Sequence, residues 1–157
     1  MDKNEDSNLQ EIFERVSRDP SLFSTIDVEK IFETIDKGKV NYLANKNLQH
    51  ITSEIAETII ENRWSRELSS KLIGYRLVSE LYELHKGKHV RWIRREPESK
   101  LTNGGIVVNI KFIEKGTYVV CKNNQNRILQ YHFDNCVTFQ KMTVEEQLVL
   151  LANEYTI

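Results

Sequence analysis

The chain has little capacity for disulfides: Cys121 and Cys136 are its only cysteines in 157 residues. That excludes a small secreted scaffold held by cross-links and points to a reducing compartment. Long apolar runs are missing too. None approaches the roughly 20 residues that span a bilayer, and the opening MDKNEDSNLQ has neither the basic nor the apolar segment of a secretory leader. A protein inside the cell and off the membrane is expected. Net charge is almost absent: Lys+Arg 22 against Asp+Glu 23 leaves −1, which argues against a histone-like polycation. Apolar residues at 39% can close a core and argue against a disordered acidic tail. Alanine is scarce, with 3 residues (Ala44, Ala56, Ala152) against 15 Ile, 13 Asn and 13 Lys. Alanine is ordinarily among the commonest residues, so the skew has the look of an AT-rich genome.

The overall neutrality conceals a division. Residues 1–85 carry 11 Lys+Arg and 16 Asp+Glu, a net of −5, whereas residues 86–157 carry 11 and 7, a net of +4. Periodicity changes at the same place, from helical spacing to strand alternation. A first helix is expected from Ser7, where Ser7 and Gln10 suit a capping box ahead of Leu9, Ile12, Phe13 and Val16; Asp19-Pro20 ends it. A second fits 27–37 and closes on Gly38. Leu48, Ile51, Ile55 and Ile59 mark a third. Leu68, Leu72, Tyr75, Leu81 and Leu84 suggest a fourth over about Ser65–His85. No proline or glycine lies between Gly38 and Gly74, so one long helix and a helical hairpin are both open between 46 and 85. Short amphipathic segments enclose little volume, and their stripes need a partner: each other, the rest of the chain, or a second copy. Each buried Leu or Ile contributes ~1.5–3 kcal/mol, so a helical arm in a homodimer interface is the expected arrangement.

Beyond residue 85, HVRWIRR, IVVNIKFI, TYVVCK, RILQYHF and CVTFQ are five short β-prone runs. Asn103-Gly104-Gly105, Glu114-Lys115-Gly116 and Asn123-Asn124-Gln125-Asn126 supply the turns. In the second run Ile106, Val108, Ile110 and Phe112 are expected on one face, with Asn109 and Lys111 on the other. Thr143 and Glu146 make a capping box for a final helix through Leu148, Val149 and Leu151. The expected fold is therefore α+β. Amphipathic helices over 1–85 precede a domain of residues 86–157, which holds a small five-stranded SH3-like β-barrel and a short C-terminal helix. An OB barrel has the same strand count with longer loops.

The segments VRWI (90–93), LTNGGIVVNIKF (101–112) and FQKMTVEEQLVLL (139–151) resemble small uncharacterised proteins of nucleocytoplasmic large DNA viruses. The β portion also resembles the Tudor-like and KOW-like branch of SH3-like barrels. The resemblance covers about residues 86–151 and implies a binding role, with other viral proteins among the partners, in the virion or the host cytoplasm. A Tudor-type aromatic cage needs clustered aromatics at loop ends, whereas Trp92, Phe112, Tyr118, Tyr131, Phe133 and Phe139 fall mostly at core-like positions.

The sharpest local feature is the basic run at 85–100. Lys86, Lys88, Arg91, Arg94 and Arg95 cluster around Trp92, with Lys100 beyond and only Glu96 and Glu98 opposing them. Such cations can neutralise phosphates, and Trp92 can offer a stacking surface to an unpaired base. The alternative is a charged edge strand that avoids aggregation and meets the acidic helices. Cys121, His132, Asp134 and Cys136 include an H-x3-C spacing but no C-x2-C pair, so the cysteines read as small buried hydrophobes and no metal or cofactor is expected. Gly104-Gly105 opens a strand, unlike a phosphate-binding loop, and neither G-x-S-x-G nor H-E-x-x-H occurs. The expectation is a non-enzymatic interaction protein, with nucleic-acid binding through the basic strand as the alternative.

Overall fold

A computed structural model describes residues 41–155, together with Glu11, Glu14 and Arg18, which are helical and exposed. The helix expected over 27–37 lies outside the described residues, as does that from Ser7 apart from these three positions. In chain order the elements are α1 (Leu48–Glu61), α2 (Leu68–Lys71), β1 (Tyr75–Val78), β2 (His89–Arg94), β3 (Gly105–Ile113), β4 (Gly116–Lys122), β5 (Ile128–His132), β6 (Cys136–Lys141) and α3 (Val144–Tyr155). Single 3-10 turns occupy Asn41–Leu43, Leu81–Glu83 and Phe133–Asn135. The chain divides into two compact units, residues 1–51 with 142–157, and residues 52–141.

In the first unit α3 starts on the expected cap. Glu146 N–H donates to Thr143 Oγ1 and Thr143 N–H to Glu146 Oε1, both at 3.1 Å. Tyr42 Oη donates to the other Glu146 oxygen at 2.5 Å, and Asn153 Nδ2 donates to the Leu43 and Lys46 carbonyls. These bonds close residues 41–51 onto α3 around Leu43, Ile51, Met142, Leu148, Val149 and Leu150.

Helix α1 begins on a reciprocal pair, with His50 N–H on Asn47 Oδ1 at 2.9 Å and Asn47 N–H on His50 Nδ1 at 3.1 Å. Histidine here takes the place of the usual Glu or Gln in a capping box. The helix stops in a Schellman turn: Trp64 N–H reaches the Ile59 carbonyl, Arg63 N–H reaches that of Ile60, and Arg63 sits at φ 57°. Because arginine, not glycine, holds the left-handed position, the sequence shows no breaker there. Residues 46–85 form neither one long helix nor a helical hairpin.

The fourth helix expected over Ser65–His85 is corrected. Only Leu68–Lys71 is helical; Gly74 at φ 84° reverses the chain, and Tyr75–Val78 becomes a strand, followed by the 3-10 turn. Leu68, Leu72 and Tyr75 have helical spacing, but that spacing runs across a helix, a turn and a strand. The sheet accordingly has six antiparallel strands in the order β1-β6-β2-β3-β4-β5, where five were expected. The five runs read from residue 89 onward are β2 to β6.

Strand β6 is buried on both faces from Cys136 to Gln140, with the polar Thr138 and Gln140 as enclosed as Val137 and Phe139. On one side Trp92, Val107, Val119, Cys121, Tyr131 and Cys136 form a core with Val78, Leu84 and Val90. On the other, Ile93, Val137 and Phe139 pack against Ile55 and Ile59 of α1 and Leu72 after α2. The stripes of residues 52–72 are thus covered by the chain's own sheet, at ~1.5–3 kcal/mol for each Leu or Ile. They need no second copy.

One face assignment is also corrected. Val107 pairs with Cys121, but the register then slips so that Asn109 pairs with Val120 and Ile110 with Val119. This bulge changes the phase of the strand. Val107 and Ile110 pack on the core, while Ile106 and Val108 are 39% and 43% exposed. Phe112, near the end of the hairpin, is exposed as well.

Candidate functional site

The basic run does not act as one cluster. Lys86 and Lys88 are exposed on a segment tied to β3 by Gly87 N–H on the Val107 carbonyl and Val107 N–H on the Lys88 carbonyl. In β2 the side chains alternate, so Arg91 turns toward α2. There its Nε donates to the Thr102 carbonyl at 2.8 Å and its Nη1 to the Lys71 carbonyl at 3.2 Å. Arg91 is a fastener between the sheet, α2 and the β2–β3 loop. Trp92 points the opposite way and is 6% exposed, stacked on Tyr131 with ring centroids 4.2 Å apart and planes at 16°. The stacking surface expected at Trp92 is therefore taken by Tyr131. Arg94 and Arg95 are exposed at the strand's exit.

Arg94 lines a cleft of about 970 Å³ with Lys100 of the β2–β3 loop and Lys122 at the end of β4. Glu96 is the one carboxylate on its lining, and His89 also reaches it. The loop wall is pinned: Trp92 N–H donates to Thr102 Oγ1 and Thr102 N–H to the Trp92 carbonyl. Gly104, at φ 76°, lets this wall pass close to β2, since a Cβ there would lie 1.8 Å from the Val90 carbonyl oxygen. The opposite wall is the β4–β5 turn, where Asn123 Oδ1 accepts the N–H groups of Gln125 and Arg127 and Asn126 takes φ 61°. Arg95 faces a second cleft, of about 940 Å³, whose lining mixes Arg63, Lys71 and Lys100 with Glu96 and Glu98.

The electrostatics favour an anionic ligand. Residues 86–141 carry 11 Lys+Arg against 4 Asp+Glu, a net of +7. Apart from Arg91, every Lys and Arg of this stretch is exposed and makes no ion pair among the described residues. His89 adds no charge near neutrality. Burial, helped by Arg91 and Lys141, lowers its pKa below the usual 6.5, and its Nδ1 lies 2.9 Å from Tyr75 Oη. Sequence reasoning missed Lys122, which stands 28 positions after Arg94 and follows an apolar run. The Asn-rich turn beside it was the available signal.

Other chemistry is placed elsewhere. Burial pushes the Cys121 thiol up to about 12 and raises that of Cys136, so both remain protonated at neutral pH and lack thiolate character. Among the described residues no three of His, Cys, Asp and Glu gather as a metal-ligand set. Arg76, 1% exposed, donates to the Glu83 carbonyl and lies 4.0 Å from its carboxylate, holding the 3-10 turn against β1. No described helix is long and apolar enough to cross a membrane.

No known protein family, curated protein or solved structure matches the chain.

Proposed function

We propose that this is a non-enzymatic nucleic-acid-binding protein, with phosphates held by Arg94, Lys100 and Lys122. The carrying observation is that three cations from separate elements converge on one cleft opposite a single carboxylate. Cations left without partners on a folded surface attract polyanions, and each phosphate they neutralise releases counterions. We also infer an SH3-like barrel for β2 to β6. Supporting this, the last strand of the meander returns beside its first, giving the order β6-β2-β3-β4-β5, and a bulge bends β3. Taken with the viral resemblance of residues 86–151, the proposal extends to a role on genome or transcripts, in host cytoplasm or in the particle.

The test is retention of a labelled oligonucleotide across a salt series. Three engaged cations give a slope of log K against log salt of about −2 on a single strand. The variant R94Q/K100Q/K122Q is expected to remove most of that slope at unchanged melting temperature. Equal affinity and slope in this variant would reject the reading.

A second reading, self-association, is favoured by Ile106, Val108 and Ile128 standing exposed on β3 and β5, the two strands that flank β4. A homodimer built on this face would persist at high salt, whereas an 18.5 kDa species alone in light scattering rejects it.

A further inference from the structure

Building on that nucleic-acid reading, we propose that the cleft takes an unpaired strand and reads its base edges through Asn103, Asn124, Gln125 and Gln130. These four side chains line the cleft, are exposed, and have no hydrogen-bond partner among the described residues. Asn123 differs, because its oxygen is committed to the turn. A phosphate offers only acceptors and is satisfied by Lys and Arg. An amide side chain carries both a donor and an acceptor, the pair that matches a base edge. Amides and cations are interleaved in the cleft: Lys100 precedes Asn103 by three residues, Lys122 precedes Asn124 by two, and Gln130 follows on β5.

The shape favours an unpaired strand. About 970 Å³ lies at the upper end of the roughly 300–1,000 Å³ of small-ligand sites, room for a few nucleotides and far too little for a duplex. Base edges become accessible at this range when bases are splayed from a helix. Both walls are already fixed, by Thr102 on β2 and by the Asn123 turn, so the amides are presented at little ordering cost. The two rings of the lining are already engaged, Trp92 stacked on Tyr131 and His89 edge-on to Tyr75 with its Nδ1 at Tyr75 Oη, which withholds them from bases. Hydrogen bonds, with apolar contact to Ile106 and Leu129, therefore carry recognition, in place of sequence-tolerant stacking.

Fluorescence anisotropy with labelled oligonucleotides of about 12 nucleotides, within the roughly 4–16 that small β-barrel sites cover, tests this. The probes are DNA and RNA homopolymers, a mixed single strand and its duplex, all at one salt concentration. The expected result is at least about tenfold tighter binding of single strand than duplex, with a spread among homopolymers. In N124A/Q130A that spread shrinks about tenfold, as loss of base contacts predicts, while the salt slope stays as in the parent. The DNA and RNA arms show which backbone is preferred. Duplex binding as tight as single strand, or an unchanged homopolymer spread in N124A/Q130A, overturns the inference while leaving the phosphate reading intact. Failure to bind any probe overturns both.

Discussion

Arg91 and Arg94 are three residues apart in one strand, share a side-chain type, and do opposite jobs. Arg91 spends its donors on two main-chain carbonyls, whereas Arg94 stands at the rim of a cleft with no ion pair among the described residues. Strand alternation sends them to different faces, and only one of those faces has α2 packed near it. A cluster of charge along a sequence is therefore no guide to a cluster in space. The cations that meet come from β2, the β2–β3 loop and β4, not from one run.

The sharpest way to break this contrast is at Trp92, one of the two residues between the arginines. Trp92→Ala empties the space beside Tyr131 and is expected to cost about 3–5 kcal/mol in denaturant unfolding. A loss below about 1 kcal/mol would mean that the ring is not part of the core. Arg91→Ala should cost about 1–2 kcal/mol, chiefly through the part-buried Thr102 carbonyl that loses its donor. Arg94→Ala should stay within about 0.5 kcal/mol of the parent. Equal effects at the two positions would erase the distinction between fastener and free cation.

Smaller effects sharpen it. Arg63 holds a left-handed conformation that costs about 1 kcal/mol for a residue with a Cβ, so Arg63→Gly is expected to raise stability by about 0.5–1 kcal/mol in the same assay. His89 contributes the pH dependence. Its folded pKa lies below the usual 6.5, so the unfolded chain binds the proton first as pH falls. Stability is fully retained above about pH 6.5 and declines as pH drops toward the depressed folded value. Unfolding of His89→Gln at pH 7.5 and 5 should show a shallower decline than the parent.

Much of the β region was legible in the residues. Five runs of β-branched and aromatic side chains became β2 to β6, the Asn103-Gly104 turn took its positive φ, and Thr143 with Glu146 capped α3 as their spacing requires. Each of these is decided within a few residues by local sterics or a local hydrogen bond. The misreadings arose where distant partners intervene. Tyr75–Val78 has four residues to announce a strand and is one because β6 pairs with it. The phase of β3 slips at Val108 because of its register with β4.

The amino-acid order by itself determined where the β-strands from β2 onward lie, where α1 and α3 lie, and that positive charge gathers after residue 85. Tertiary structure alone decided which of those charges are spent and which are free. Alternation along a strand is a local property of the backbone, whereas the approach of Arg94, Lys100 and Lys122 depends on the path of the β2–β3 loop and on the pairing of β4. Those are set by packing around Trp92, Val107 and Tyr131, which no window of neighbouring residues contains.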